Sequence, residues 1–138
     1  MPIVVDANLF VVLVSGDPRS DLVERQLQAW NTDSIELHAP DLALYEIANA
    51  LTRLINARQF SRNQVAAAWT LLRDLPITYH RLIDLDRVVE IALTLNRSSA
   101  YDAAYLALAE SLNAELWTLD TPLYRNAITQ GFAVRLLS

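Results

Sequence analysis

Five short runs of β-forming residues alternate with helical patterns along the chain, and this alternation constrains the fold more than any other feature. The runs cover residues 3–5, 35–39, 77–80, 115–118 and 132–136. Strands that alternate with helices, mostly without hairpin turns, imply right-handed crossovers and a parallel sheet covered on both faces. The sequence therefore predicts one α/β domain over residues 1–138, a three-layer sandwich around a five-stranded parallel sheet.

Helix-start signals lie between these runs. The first helix is predicted directly after Asp6, and Asp17 followed by Pro18 predicts the start of the second. Apolar residues at helical spacing within residues 41–58 predict a third helix with one core-facing stripe. The remaining starts are predicted at capping boxes in residues 61–64 and 99–102, at Asp84 and at residues 121–122.

Composition narrows the chemistry. The net charge of −5 argues against a chain that coats nucleic acid through a broad basic surface, but it does not exclude a nuclease. All 11 basic residues are Arg, so any phosphate contact would come from a guanidinium fork. Cysteine is absent, which removes disulfides and thiolate chemistry and fits a reducing compartment. No apolar stretch approaches the roughly 20 residues of a membrane span and no export signal opens the chain, so we expect a cytoplasmic protein.

Several common catalytic arrangements are disfavoured. Gly16 and Gly131 are the only glycines, whereas a phosphate-binding loop, a dinucleotide fingerprint or a nucleophile elbow needs a glycine-rich turn. His38 and His80 lie in predicted strands, and neither is beside a candidate serine or carboxylate. We therefore expect ordinary strand positions for both histidines and no Ser-His-Asp hydrolase.

Four acidic residues stand out by their positions. Asp6 closes the first strand and Asp120 lies just past the fourth, where an open parallel sheet binds ligands. Glu46 lies on the polar face of the predicted third helix, and Asp102 lies in the first turn of a later helix. Each acid also has an ordinary explanation, as a helix cap, a first-turn charge or a solvated side chain. Taken singly, the residues leave the functional and the structural interpretation open.

The sequence around each of the four acids resembles the PIN-domain family, particularly the VapC-type toxins of bacterial toxin–antitoxin pairs. The resemblance covers nearly the whole chain and keeps the order of the family's motifs. The matching segments are VVDAN at residues 4–8, residues 39–51 around Glu46, YDAAYLALAE at residues 101–110 and WTLD at residues 117–120. Ser98 and Ser99 stand where a Gly often appears, and Trp117 replaces the usual small aliphatic residue.

The resemblance implies the strand order 3-2-1-4-5, in which Asp6 and Asp120 flank one crevice while Glu46 and Asp102 close it from helices. It implies that these four acids are catalytic and bind Mg²⁺ or Mn²⁺. Oxygen ligands without His or Cys favour such hard cations over zinc. Two carboxylates about 4 Å apart repel by roughly 4 kcal/mol at an effective dielectric near 20, so the cluster favours a divalent cation.

The resulting hypothesis is a metal-dependent endoribonuclease. The acids come without a candidate nucleophilic Ser or Cys and without a His base, which leaves metal-activated water as the attacker on a phosphodiester. Asp6 and Asp102 are expected to bind the metal directly, and the other two acids to act on it or on a second ion through water. Asn8 and Thr118 are expected to orient ligands and substrate from behind the acids.

The resemblance also implies partners. RNA is the expected substrate, and a cognate antitoxin is expected to place a basic side chain among the carboxylates. Arg53 and Arg97 are candidate RNA contacts because they lie near acidic motifs. A homodimer is expected as well. Trp69, Leu72 and Phe60 could form its apolar interface, although core packing explains them equally well.

Three other interpretations fit parts of the sequence. A receiver-like phosphoacceptor domain also carries an Asp at a strand end, but it needs a Lys that this chain lacks. A related phosphatase of the haloacid-dehalogenase type needs Asp-x-Asp where this chain has Asp6-Ala7-Asn8. A noncatalytic α/β binding module, whose acids only cap helices, would show no dependence on divalent ions.

Overall fold

The structure is a computed structural model that describes residues 1–97 and 99–138; Ser98 lies outside the described residues. Its sheet has five strands in the order β3-β2-β1-β4-β5, and every neighbouring pair is parallel. The strands are β1 (Pro2–Val5), β2 (Glu36–Pro40), β3 (Ile77–His80), β4 (Glu115–Thr118) and β5 (Val134–Leu136). The predicted five-stranded parallel sheet and its strand order are confirmed.

Seven α-helices connect these strands within the described residues. They are α1 (Ala7–Val14), α2 (Ser20–Thr32), α3 (Leu42–Asn56), α4 (Val65–Asp74), α5 (Leu85–Thr94), α6 (Tyr101–Ser111) and α7 (Thr121–Thr129). The predicted capping box at Ser61 and Gln64 is present, and it opens a short 3₁₀ turn, Arg62–Gln64, before α4. The predicted caps Asp84 and Asp120 are also present, each accepting a backbone N–H of its helix.

The core is continuous through the sheet and the helices that cover it. Val4 and Val5 of β1 and Leu116 of β4 have no exposed surface, as expected where helices cover both faces of a parallel sheet. Helix α6 packs against β1, β2 and β4. Helix α1 packs against α2 and α3. The carboxyl ends of β1 and β4 consequently meet beside the starts of α1 and α7.

The predicted start of α2 is wrong by two residues. The helix begins at Ser20, and Asp17 forms a turn instead of the helix cap. The Asp17 carboxylate accepts hydrogen bonds from the backbone N–H and the guanidinium of Arg19, at 2.8 and 3.1 Å. A short acidic side chain that bonds two residues ahead stabilises a turn in competition with the helix.

The predicted capping box at residues 99–102 is also wrong. Helix α6 is preceded by Ala100, which offers no side-chain cap. The Ser99 hydroxyl accepts from the N–H of Tyr101 at 3.3 Å, so it serves the first helical amide and not the third. Asp102 is therefore not engaged as the partner of a capping serine.

The surface changes the expectation about a dimer interface. Phe60 and Leu72 are buried in the core, so core packing is the correct explanation for both, while Trp69 is half exposed. A different apolar stripe is exposed on α5, where Leu85, Val89 and Leu93 follow one another at intervals of four residues. In the described part of the chain, no helix is both long and apolar enough to cross a membrane.

Candidate active site

Asp6 lies at the carboxyl end of β1, in the crevice that β1 shares with β4. Its backbone N–H donates to the carbonyl of Trp117 at 2.9 Å, and only 8% of the residue is exposed. The Thr118 hydroxyl donates to Oδ2 of Asp6 at 2.8 Å, and the side-chain amide of Asn8 donates to the same oxygen at 3.3 Å. Because both side-chain donors bind Oδ2, the other oxygen is left for a further ligand.

Thr118 and Asn8 link the end of β4 to the start of α1. The Asn8 amide nitrogen lies 3.2 Å from Oγ1 of Thr118, and its Oδ1 accepts from the N–H of Leu119 at 3.3 Å. The N–H of Asp120 donates to the Thr118 hydroxyl at 3.0 Å. One hydroxyl therefore uses its proton on Asp6 and both lone pairs on neighbouring donors.

Asp120 follows β4 directly and caps α7. Its Oδ1 accepts from the N–H of Leu123 at 3.0 Å, with Pro122 in the first turn of the helix. Asp120 therefore does act as a helix cap, which was its structural interpretation. Its negative charge also raises the pKa of Asp102, which means that the two carboxyl groups are electrostatic neighbours.

Glu46 lies on α3 but is not simply solvated, contrary to the ordinary expectation for a polar-face acid. It is half-buried, and the Tyr105 hydroxyl donates to its Oε1 at 2.6 Å. Burial raises the pKa of Glu46; the hydrogen bond from Tyr105 opposes this rise, and the charge of Asp102 adds to it. The carboxylate thus faces α6 and the other acids.

Asp102 lies in the first turn of α6 and is partly exposed. Burial raises its pKa, while the guanidinium of Arg97 acts in the opposite direction. Nη2 of Arg97 lies 3.9 Å from Oδ2 of Asp102, a long ion pair. Of the two candidate RNA-binding arginines, Arg97 is therefore beside the acids, whereas Arg53 is exposed on α3.

Electrostatic effects connect the four acids pairwise. The pKa of Asp6 is raised from 3.8 to about 7, mainly by burial; the hydrogen bond from Thr118 opposes this rise, and the charges of Asp102 and Glu46 add to it. The charge of Asp102 also raises the pKa of Glu46, and the charge of Asp120 raises the pKa of Asp102. The structure therefore places the four acids that the sequence singled out as successive neighbours: Asp102 and Glu46 act on Asp6, and Asp120 acts on Asp102.

This cluster fits a divalent cation. Its ligands are carboxylate oxygens, which hard cations prefer, and a cation would stabilise the ionised forms that burial and the neighbouring charges disfavour. Across residues 1–97 and 99–138, no three His, Cys, Asp or Glu side chains lie close enough together to ligate one ion as they stand. An ion bound here would therefore be held by one or two carboxylates, with water as its other ligands.

Tyr105 is the member of this region that sequence analysis missed. Its side chain is almost completely buried, and its hydroxyl contacts both Glu46 and the first amide of α1. Burial raises the pKa of this phenol, so it remains protonated. The available signal was its position three residues after Asp102, on the same face of an otherwise alanine-rich helix.

The two histidines lie in strands β2 and β3, as predicted. Nδ1 of His38 lies 2.8 Å from Nε2 of His80, and Nε2 of His38 lies 3.1 Å from Oε1 of Glu36. Glu36 is not one of the four candidate acids, and the histidine pair takes no part in the hydrogen bonds of Asp6 or Glu46.

Known proteins share this sequence and this fold. The PIN-domain family model matches residues 3–128. Ribonuclease VapC3 of Pyrobaculum aerophilum is 34% identical over 128 residues, which cover 89% of this chain and 92% of that protein. Ribonuclease VapC9 of Mycobacterium tuberculosis is 37% identical over 119 residues, covering 86% and 85%. The structure of VapBC2 from Rickettsia felis, bound to a DNA fragment from their promoter, superposes with a TM-score of 0.74 at 13% identity over both full chains.

The chain therefore belongs to the PIN-domain family, whose ribonucleases depend on divalent metal ions. Its curated relatives are VapC ribonucleases that match it over most of both lengths. The likeness to the Rickettsia structure concerns the fold alone.

Proposed function

We propose that this protein is the toxin of a toxin–antitoxin pair and acts as an endoribonuclease that requires Mg²⁺ or Mn²⁺. The observation that carries the proposal is the meeting of Asp6, Glu46, Asp102 and Asp120 around one crevice, with Asp6 buried and its pKa raised to about 7. The ribonuclease relatives support RNA as the substrate. An RNA substrate, together with the absence of cysteine, supports a cytoplasmic location.

Asp6 and Asp102 are proposed to hold the ion directly, while Glu46 and Asp120 hold it or a second ion through water. When bound, a divalent ion supplies positive charge at the scissile phosphate and activates water for attack. Thr118 and Asn8 keep the Asp6 carboxylate in place by binding its Oδ2.

Arg97 is proposed to contact the RNA phosphate beside the acids. Its guanidinium is partly exposed and makes only a long, 3.9 Å contact with Asp102, so it has donors to spare for an incoming phosphate. Its Nε has no hydrogen-bond partner among the described residues. A guanidinium at this point also offsets the like charges of the acids and the RNA backbone.

The proposed antitoxin would cover the crevice with a peptide that carries a basic side chain. The net charge of −5 and the three carboxyl groups with raised pKa values make this crevice a favourable place for a guanidinium or ammonium group. Such a side chain would compete with the metal ion, so binding of the antitoxin would inhibit cleavage.

Cleavage of RNA by the purified chain in EDTA, Mg²⁺ or Mn²⁺ tests the proposal. The active-site variant is Asp6→Asn, and the matched control is Asp33→Asn, an exposed acid at the end of α2. We expect cleavage by the wild type and by Asp33→Asn only with metal, and none by Asp6→Asn. Full activity of Asp6→Asn, or cleavage in EDTA, would contradict the proposal.

Calorimetric titration with Mn²⁺ separates this enzyme from the noncatalytic alternative. Acids that only cap helices bind no ion, whereas the proposed site gives saturable binding that Asp6→Asn abolishes. A chain that binds Mn²⁺ through Asp6 but cleaves no test RNA would point to a narrow RNA target.

A further inference from the structure

One buried hydroxyl joins the two helices that carry Asp102 and Glu46 to the first residue of α1. Tyr105 is 1% exposed and lies on α6, three residues after Asp102. Its hydroxyl donates to Oε1 of Glu46 on α3 at 2.6 Å. The same oxygen accepts from the N–H of Ala7, the first residue of α1, at 3.3 Å. A single side chain thus connects the helix of Asp102, the helix of Glu46 and the residue that follows Asp6.

The direction of these bonds is fixed by chemistry. The Ala7 amide can only donate, so it occupies a lone pair of the phenol oxygen. The only proton of the phenol is therefore available to Glu46, whose carboxylate accepts it at a short distance. This contact restrains one carboxylate oxygen of Glu46 and leaves the other free.

The contact with Ala7 also bears on Asp6. An Asp that precedes a helix commonly uses its carboxylate to accept an amide of the first turn. No side-chain cap bond from Asp6 to α1 is found, and the first amide of that helix, which a cap does not serve, donates to Tyr105. The Asp6 carboxylate is consequently held by Thr118 and Asn8 in the crevice.

We propose that Tyr105 is a positioning residue that fixes Glu46 for metal binding. This inference rests on the proposed function, because it concerns the same cluster of acids. The phenol does not itself meet the ion or the RNA; it acts through the carboxylate that it binds. Groups that orient metal ligands in this way typically change metal affinity or activity by about 10- to 100-fold when they are removed.

Tyr105→Phe keeps the buried ring and removes only the hydroxyl. We expect its Mn²⁺ affinity, measured by calorimetry, to fall by about 10- to 100-fold. In cleavage assays the Mn²⁺ concentration at half-maximal rate should rise in the same proportion, and excess Mn²⁺ should restore most of the maximal rate. Tyr79→Phe is the matched control, since it removes a half-buried hydroxyl on β3, and it should leave the Mn²⁺ affinity unchanged.

A double-mutant cycle separates positioning from general support of the fold. If Tyr105 acts through Glu46, the loss of Mn²⁺ affinity caused by Tyr105→Phe should disappear in a Glu46→Ala background, which has no acceptor for the hydroxyl. A purely structural hydroxyl would lower the unfolding temperature of Tyr105→Phe and leave Mn²⁺ affinity as in the wild type, and that result would overturn the assignment.

Three further outcomes would also test the role of Tyr105. If Tyr105→Phe does not fold, Glu46→Asp withdraws the carboxylate from the hydroxyl while keeping its charge; an unchanged Mn²⁺ affinity in that variant would overturn the assignment. A wild-type chain that binds no Mn²⁺ would overturn the proposed function and this assignment together. A wild-type chain that binds Mn²⁺ as tightly as Tyr105→Phe does would overturn the assignment alone.

Discussion

The Asp6 carboxyl group is more strongly affected by burial than the other acids of the cluster. Desolvation is the largest cause of its raised pKa, and hydrogen bonds from Thr118 compensate for only part of it. A group with a pKa near 7 is about half ionised at neutral pH, so metal binding there should release protons and strengthen as the pH rises. Burial of this acid, useful for binding a cation, should be unfavourable for the stability of the metal-free protein.

Asp6→Asn should stabilise the metal-free protein and weaken its pH dependence. Since the folded pKa of Asp6 is about 7 and its ordinary value 3.8, the folded state is favoured at low pH. Stability from this group is lost as the pH rises from about 4 to about 7, by up to roughly 4 kcal/mol. Urea unfolding in EDTA at pH 5 and pH 8 measures this loss, and an equal loss in Asp6→Asn would contradict the assigned pKa.

Thr118→Val should reduce both the stability of the protein and its Mn²⁺ affinity, because it removes one hydroxyl from the site. The variant keeps the shape of this fully buried residue but removes the donor to Asp6 and the acceptor for the amide of Asp120. We expect a loss of about 1–3 kcal/mol in the free energy of unfolding, because buried partners are left unsatisfied. Mn²⁺ affinity at pH 7 should also fall, since the lost hydrogen bond raises the pKa of Asp6 further.

Thr118→Ser is the control for that variant because it keeps the hydroxyl. Its Mn²⁺ affinity should stay close to that of the wild type. Equal Mn²⁺ affinities in Thr118→Val and Thr118→Ser would show that the hydroxyl does not support Asp6.

At the scale of single elements, α7 carries an acid with two expected roles. Asp120 caps the helix through Oδ1, and it is proposed to hold metal as well. Asn caps a helix about as well as Asp, so Asp120→Asn should unfold at nearly the wild-type urea concentration. Asp120→Ala should lose about 1 kcal/mol because the cap is gone.

RNA cleavage by the same two variants then separates the roles. Both should lose most of their activity if the charge of Asp120 supports the metal. An Asp120→Asn variant with wild-type activity would mean that this acid serves only as a helix cap.

Elements α3 and α6 are joined at the site by side chains that neither helix would reveal alone. Glu46 lies on the polar face of α3, yet it faces the buried phenol of α6. Helix α6 brings Asp102 at its first turn and Tyr105 on the same face, so its contact with β1 and β4 carries both groups into the crevice. The orientation of α6 on the sheet therefore determines how the acids meet.

At the scale of the whole molecule, homodimerisation stays a prediction, and the structure moves its expected interface to α5. Leu85, Val89 and Leu93 form an exposed apolar stripe centred on Val89. A two-fold axis at Val89 would place Leu85 of one protomer beside Leu93 of the other, which gives a self-complementary surface. We expect the wild type to sediment as a dimer.

Val89→Glu should sediment as a monomer, because two carboxylates would meet at the centre of that interface. Leu71→Glu on α4 is a matched control, since Leu71 is 44% exposed and Val89 is 46% exposed. Sedimentation velocity distinguishes the two variants. A monomeric wild type, or a dimeric Val89→Glu, would contradict the interface on α5.

The sequence by itself determined the elements and their order. Apolar runs with period two and stripes with helical period are local properties, because each arises from residues near one another in the chain. They located all five strands, and the resemblance supplied the order 3-2-1-4-5. Asp6 and Asp120 were also found locally, since each follows a strand directly. The errors at Asp17 and Ser99 are local too, and arise from side chains that bond the backbone two residues ahead.

Only the tertiary structure decided what surrounds each acid. The burial that raises the pKa of Asp6, and the hydroxyls that contact Asp6 and Glu46, come from residues 59 to 112 positions away in the chain. In the sequence, Tyr105 looks like an ordinary aromatic residue on the apolar face of a helix. Its hydroxyl finds its partners only when α1, α3 and α6 meet. Desolvation and hydrogen bonding depend on distance in space, which is why local patterns predicted the acids but not their environment.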